Sequence, residues 1–129
     1  MHRTMRYARI GFIGFAWTFA SCIAIQTYLA GAAIFIDASH WQNHTAFVHA
    51  FEVVPLLMAL LAWIGRYPAV LRWQSVALFL LIIAQYATAH IPAAGAVHPV
   101  IALALFALAI RTARSATRER GAQRGGGAA

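Results

Sequence analysis

The stretch Ile10–Ile36, IGFIGFAWTFASCIAIQTYLAGAAIFI, decides the fold because it is long, apolar and free of charged side chains. It exceeds the roughly 20 residues that a helix needs to cross a hydrocarbon core about 30 Å thick. Three further apolar runs follow at about 40–64, 69–90 and 93–110. Lipid offers the backbone no hydrogen bonds, so each run is expected to be an α-helix. The sequence therefore predicts an all-α fold, an integral membrane four-helix bundle over residues 10–110.

The composition excludes several classes of protein. The chain has 129 residues, of which 62% are hydrophobic and only three are acidic, so it lacks the polar surface of a soluble domain. Its net charge of +7 would suit nucleic acid in a soluble protein, but the charge is confined to the ends of the apolar runs, which predicts no nucleic acid partner. No phosphate-binding glycine loop, nucleophile with a base or pair of catalytic carboxylates is found, so no independent catalytic activity is expected.

The basic residues predict a topology. All ten are arginines, and they lie before the first run, between the second and third, and after the fourth: Arg3, Arg6, Arg9, Arg66, Arg72, Arg111, Arg114, Arg118, Arg120 and Arg124. The positive-inside rule then predicts an up-down-up-down bundle with both termini cytoplasmic, multi-pass in the cytoplasmic (inner) membrane of a bacterium. Residues 1–9 form a cytoplasmic segment. Residues 111–129 form a basic cytoplasmic tail that is expected to be disordered and to attract anionic lipids.

Five histidines fall on the opposite side of this pattern, at positions His40, His44, His49, His90 and His98. Polar side chains inside membrane spans are costly, so those present indicate function. Gln26, Glu52 and Gln85 lie within the spans at depths similar to those of the histidines. We expect one polar layer in the outer half of the bundle, to which all four helices contribute.

A histidine pair from two helices is what a bis-histidine haem site needs, since the imidazoles approach the iron from opposite faces. His98 is one candidate, and either His44 or His49 is the other, because residues five apart on a helix point about 140° away from each other. Small residues would leave room for the macrocycle: Gly31, Ala32 and Ala33 in the first helix, and Ala87 and Ala89 in the third.

Weaker metal sites are also present in the pattern. His40 and His44 are four apart and can share one metal if both lie on a helix, with Asp37 in line. His49 and Glu52 are three apart, so they can meet on one helix face. Two local features are predicted in this region: Ser39 and Gln42 have the spacing of a capping box, and Pro55 should kink the second helix.

Several blocks resemble a group of short bacterial four-helix membrane proteins whose domain is of unknown function. They are Gln26-Thr27-Tyr28-Leu29-Ala30-Gly31, His44 with an apolar helix behind it, Gln85, and Ala96-Val97-His98-Pro99-Val100. The likeness covers roughly Ile10 to Ile110, and the His98-Pro99 step is its most specific element. That family commonly has an asparagine where Ile101 stands here, so one of its usual polar groups is missing.

More distantly, the pattern is similar to the four-helix halves of haem A synthase, which hold haem through histidines on their second and fourth helices. This resemblance carries His44 or His49, and His98, onto ligand positions. The Glu-x-x-x-His signature of that enzyme is absent, since the order here is His49-x-x-Glu52. The resemblance therefore implies a shared scaffold for haem b and not haem A synthesis.

The preferred interpretation is a small b-type haem protein with a bis-histidine site near the outer face, to which Gln26 and Gln85 also contribute. It would transfer electrons, or serve as a redox accessory subunit, in exchange with a quinone or a larger membrane complex. Two alternatives stay open: a cofactor-free structural or assembly subunit, and an outward-facing metal-binding protein. Homo-oligomerisation is compatible with each of them.

Overall fold

Five α-helices and one short 3-10 helix make up the chain in the computed structural model, which describes residues 2–125. They are α1 (His2–Phe35), α2 (His40–His49), α3 (Val54–Ile64), α4 (Ala69–His90), the 3-10 helix Pro92–Val97 and α5 (His98–Gly125). Four candidate membrane spans occur in the described part of the chain: Arg3–Phe35, His40–Ile64, Ala69–His90 and Pro92–Ala122. The expectation of an all-α chain with four helices long and apolar enough to span a membrane is confirmed.

The second span is interrupted by a turn between α2 and α3. The amide of Glu52 donates to Val48 O at 2.9 Å, and the amide of Val54 donates to Phe51 O at 3.0 Å. Pro55 then lies in the first turn of α3, where its missing N–H needs no partner. The predicted kink at Pro55 is thus a break in the helix, and it places Glu52 in the turn directly after His49.

The capping box predicted at Ser39 and Gln42 is wrong. Ser39 has helical backbone angles and makes no side-chain capping bond to α2. Asp37 instead accepts a hydrogen bond from the Ser39 amide at 2.7 Å. Hydrogen bonds from the Ser39 hydroxyl and amide hold the pKa of Asp37 below its ordinary value. A carboxylate two residues before a serine offers the backbone a competing local bond, and that bond prevails here.

The four long helices α1, α3, α4 and α5 pack around one core. α1 contacts both α3 and α5, and α4 contacts the same two helices. Their shared core includes Phe12, Phe19, Met58, Leu78 and Leu105. Neither α2 nor the 3-10 helix contains a buried residue. The core therefore lies away from the end of the bundle that carries the histidines, which we call the histidine end.

At the other end, which we call the arginine end, the turn between α3 and α4 is held by Arg9. Its guanidinium donates to Gly65 O at 2.7 Å and to Arg66 O at 3.1 Å. The guanidinium carbon lies 5.0 Å from the centroid of the Tyr67 ring, and the Tyr67 hydroxyl donates to Arg9 O at 3.3 Å. Burial raises the pKa of Tyr67. A Cβ on Gly65 would lie 2.9 Å from Leu61 O, so this turn requires glycine.

The arginine-rich segment differs most from its expectation. Residues 111–125 continue α5 as one helix and do not form a disordered tail, while residues 126–129 lie outside the described part. The reason is a stripe of small side chains, spaced by three and four residues, that is fully or almost fully buried: Ala109, Thr112, Ala113 and Ala116. Thr112 also donates to Gln74 Oε1 at 3.2 Å, and Trp17 Nε1 donates to Thr117 Oγ1 at 3.3 Å. The helix thus packs inside the bundle well past Arg111.

Candidate functional site

His44 and Gln26 form a reciprocal pair between α2 and α1. The Gln26 side-chain nitrogen donates to His44 O at 2.7 Å, and His44 Nδ1 lies 3.0 Å from Gln26 O. A backbone carbonyl can only accept, so the Nδ1 atom of His44 carries the proton in this contact. The Nε2 atom is then left with its lone pair. His44 is half-buried, which is consistent with a side chain held at the edge of the bundle interior.

His98 and Gln85 repeat the same arrangement between α5 and α4. His98 Nδ1 lies 3.1 Å from Gln85 O. When the oxygen and nitrogen of the Gln85 side-chain amide are exchanged, the nitrogen donates to His98 O at 3.0 Å and the oxygen accepts from the Ala102 amide at 3.0 Å. In that orientation the Gln85 nitrogen also lies 2.9 Å from His98 Nδ1, and the Thr88 hydroxyl lies 3.2 Å from it. The tautomer of His98 follows from which of these groups its Nδ1 atom engages.

The two Gln–His pairs have one hydrogen-bond pattern. In each, a glutamine side chain donates to the backbone carbonyl of a histidine, and the Nδ1 atom of that histidine faces the backbone carbonyl of the glutamine. In each, the glutamine lies on one span and the histidine near the start of the next. All four spans thus contribute one residue to this group.

His49 belongs to a different group. Its side chain is 65% exposed, and its Nδ1 atom lies 3.2 Å from Glu52 Oε2. The Tyr86 hydroxyl donates to the same carboxylate oxygen and lies 3.3 Å from His49 Nδ1. The structure therefore places His49 against Glu52 and Tyr86, apart from the two Gln–His pairs.

Sequence reasoning missed Tyr86 and Thr88. Both lie on α4 beside Gln85, which was recognised, and neither residue type is rare at the ends of membrane helices. Tyr86 lies close to the end of α4 at His90, whereas Glu52 lies well inside the second span, so sequence depth alone gave no signal for their contact. Thr88 also donates to Ala84 O at 2.9 Å, a bond within its own helix that gives no signal in the sequence.

The remaining metal candidates are not brought together. The Asn43 side-chain nitrogen lies 3.2 Å from His40 Nδ1, so this ring nitrogen already has a hydrogen-bond partner on its own helix. Among the residues that the structure describes, no group of three or more His, Cys, Asp or Glu side chains is arranged to hold a metal ion. A site built only from protein ligands at His40, His44 and Asp37 is therefore absent from this part of the chain.

The small residues fall into two groups. A Cβ on Gly31 would meet nothing within 4 Å, so there is open space beside α1 at the histidine end. Ala32 and Ala33 are buried in the bundle. Ala87 and Ala89 are exposed, so neither is packed against another helix.

The fold and the polar groups define a multi-pass α-helical membrane protein with two matched Gln–His pairs at one end of its helix bundle. The family model described as "Family of unknown function (DUF6220)" matches residues 26–94, and the chain belongs to this family. The match includes the whole Gln26–His44 pair and Gln85 but ends before the His98-Pro99 step. No curated protein and no solved structure matches the chain. The expected similarity to haem A synthase is not shown by these comparisons.

Proposed function

We propose that this chain is a b-type haem protein in which His44 and His98 are the axial ligands of the iron. The observation that carries the proposal is the matched contact of each Nδ1 atom with a backbone carbonyl, at 3.0 Å for His44 and 3.1 Å for His98. Histidine ligands of metals commonly donate their second ring N–H to such a carbonyl, which fixes the tautomer and the orientation of the ring. For His98 the proposal requires its Nδ1 proton to be directed at Gln85 O.

Two features of the histidine end fit a bound macrocycle. The first is space, since α2 and the 3-10 helix bury no residue and the surroundings of Gly31 are open. The second is the Gln26 Oε1 oxygen, which is buried and has no hydrogen-bond partner among the described residues. Buried polar atoms in native proteins nearly always have a partner, so a group from outside the chain fits there.

The proposed topology is up-down-up-down with both termini in the cytoplasm of a bacterium and the histidine end at the outer face of the inner membrane. It rests on the arginine distribution, because Arg9, Arg66 and Arg72 lie together with the arginine-rich part of α5. The histidine end carries no arginine between Arg9 and Arg66, or between Arg72 and Arg111. The arginine end then faces the cytoplasm.

Bound haem would supply reversible one-electron chemistry, and the chain would hold it. Gln26 and Gln85 are positioning residues in this scheme, since each ties the backbone of its histidine to a neighbouring span. His49, Glu52 and Tyr86 form a hydrogen-bonded group beside the site but are not ligands. The proposed role is electron transfer, with a quinone or a larger membrane complex as the redox partner.

The test is the absorption spectrum of the full-length protein purified after expression with added haem precursor. We expect a Soret band and sharp α and β bands on reduction, as bis-histidine ligation gives. His44→Ala and His98→Ala should each abolish the bis-histidine spectrum. His49→Ala is the matched control, because it removes an imidazole from the same helix but leaves both Gln–His pairs intact.

A colourless wild-type protein that is folded by circular dichroism would overturn the proposal. So would a spectrum that His44→Ala and His98→Ala leave unchanged. Loss of the spectrum in His49→Ala alone would show that the wrong histidine of α2 has been assigned.

A second candidate function is a cofactor-free structural or assembly subunit of a larger membrane complex. It is favoured by the exposure of α2, which buries none of its residues in the chain and so offers surface to a partner. Native gels of solubilised membranes should then show the chain in a large assembly that His98→Ala destabilises without any spectral change. A chain that migrates alone, or only with copies of itself, would contradict this second function.

A further inference from the structure

One face of α5 carries three arginines that have no hydrogen-bond or ion-pair partner among the described residues. Arg111, Arg114 and Arg118 are exposed. The ion pair found among the described residues, His49–Glu52, lies at the other end of the molecule. Spacings of three, four and seven residues place these arginines on one side of the helix. The buried stripe of Ala109, Thr112, Ala113 and Ala116 occupies the other side, so the arginines face away from the bundle.

The arginines line a surface groove together with apolar and small side chains. The groove is shallow and open, lies on α5 alone, and is lined by Ala107, Ile110, Arg111, Arg114, Ser115 and Arg118. Its composition is divided along the helix axis: the apolar residues lie towards the start of α5 and the cations towards its end. A ligand that matches it has an anionic head and an apolar body.

The apolar part continues beyond the groove along the same face. Leu103 is 71% exposed and Val100 is 62% exposed, and both are spaced to follow Ala107 on this side of α5. From Arg111 to Val100 the helix rises about 16 Å at 1.5 Å per residue. That is about half of a hydrocarbon core of about 30 Å. The track therefore has the length of an acyl chain in one leaflet.

We propose that this face of α5 binds one acidic phospholipid. Arg111 and Arg114 hold the phosphate, with Arg118 beside the rest of the headgroup, and an acyl chain lies over Ala107 towards Leu103. Guanidinium groups match phosphate geometry through paired N–H donors, which favours arginine at such a position. Ala107 is small enough to leave a depression between Ile110 and Leu103 for the chain. This site is independent of haem binding.

Native mass spectrometry of the full-length protein in detergent micelles tests the proposal. Dioleoyl phosphatidylglycerol is titrated as the acidic lipid, dioleoyl phosphatidylcholine as the neutral lipid, and inorganic phosphate as the free anion. We expect one phosphatidylglycerol molecule to be retained in preference to phosphatidylcholine. The double variant Arg111→Gln, Arg114→Gln should bind it about twenty-five-fold more weakly, from about fivefold for each arginine near an anionic surface.

Matched variants separate the site from general charge attraction. Arg3→Gln with Arg6→Gln removes two exposed arginines from the N-terminal part of α1, and phosphatidylglycerol binding should stay within about twofold of wild type. Ala107→Trp keeps all the arginines but fills the groove, and it should reduce binding of phosphatidylglycerol without weakening that of inorganic phosphate. This variant decides the question if the arginine variant does not fold.

Three results would overturn the proposal. The first is equal retention of phosphatidylcholine, and the second is an equal loss of binding in the Arg3 and Arg6 variant. The third is displacement of phosphatidylglycerol by millimolar inorganic phosphate with no effect of Ala107→Trp, which would assign the arginines to a free anion.

Discussion

Arg9→Ala should destabilise the bundle through the turn between α3 and α4. Arg9 donates to Gly65 O at 2.7 Å in a partly buried setting and to Arg66 O at 3.1 Å in an exposed one. A hydrogen bond from a charged donor contributes about 1.5–3 kcal/mol when it is protected, and less at the surface. The contact with the Tyr67 ring, at 5.0 Å, adds about 0.5–1 kcal/mol.

One contribution to the stability change of Arg9→Ala has the opposite sign. The Nη1 atom of Arg9 is buried and has no hydrogen-bond partner among the described residues, so its removal relieves a cost of about 1 kcal/mol. The expected net loss is about 2 kcal/mol, which is roughly a thirty-fold change in the unfolding equilibrium. Arg9→Lys keeps the charge but loses the paired geometry of the guanidinium, and it should cost about half as much.

The assay is equilibrium unfolding in mixed micelles of rising dodecyl sulfate content, followed by far-ultraviolet circular dichroism. Arg6→Ala is the matched control, because Arg6 is an exposed arginine on the preceding turn of α1, and its loss should change stability by less than about 0.5 kcal/mol. Equal stabilities for the Arg9→Ala and Arg6→Ala proteins would refute the reasoning. They would show that α3 and α4 are joined without help from α1.

Three further predictions concern packing and pH. Ala113→Leu should destabilise the protein by about 1–3 kcal/mol in the same unfolding assay because Ala113 is fully buried, whereas exposed Ala104→Leu should have little effect. The pKa of Asp37 is lowered in the folded protein, so its carboxylate stabilises the fold above the ordinary pKa of 3.8, and this stabilisation is lost as the pH falls further. Asp37→Asn should therefore reduce the loss of stability at acid pH. The pKa of Tyr67 is raised in the folded protein, so the stability that its protonated hydroxyl contributes is complete below the ordinary pKa of 10.0 and is lost as the pH rises. Tyr67→Phe should therefore reduce the loss of stability at alkaline pH, measured by thermal unfolding.

Much of the fold could be predicted because the spans depend on hydropathy alone. The third span was expected at 69–90 and is found as α4 at Ala69–His90. Pro68 is the N-cap of this helix, and Ile91, which follows its last residue, has extended backbone angles. The fourth span was expected to stop at Ile110, since arginine is costly in lipid. The helix continues to Gly125 because the small residues between the arginines are buried against α1. A hydropathy average does not reveal this burial.

The candidate site was harder to predict than the spans. Gln26, His44, Gln85 and His98 were each recognised as polar residues at a shared depth, because an unpaired polar group in a membrane is costly. Their partners could not be named, since the pairing depends on the rotation of each helix about its axis. The break before Pro55 shows why: it places Glu52 in the turn after His49, where both side chains meet Tyr86.

The two reciprocal Gln–His pairs have a consequence for biogenesis. Each pair lies within two consecutive spans, so the first two spans can satisfy the Gln26 amide nitrogen and the His44 ring before the last two have been synthesised. Each half of the chain can thus satisfy these polar groups on its own, and the docking of the two halves brings the imidazoles of His44 and His98 to the same end of the bundle. In such an order of events, any cofactor held between these imidazoles is acquired after insertion, as the last step of maturation.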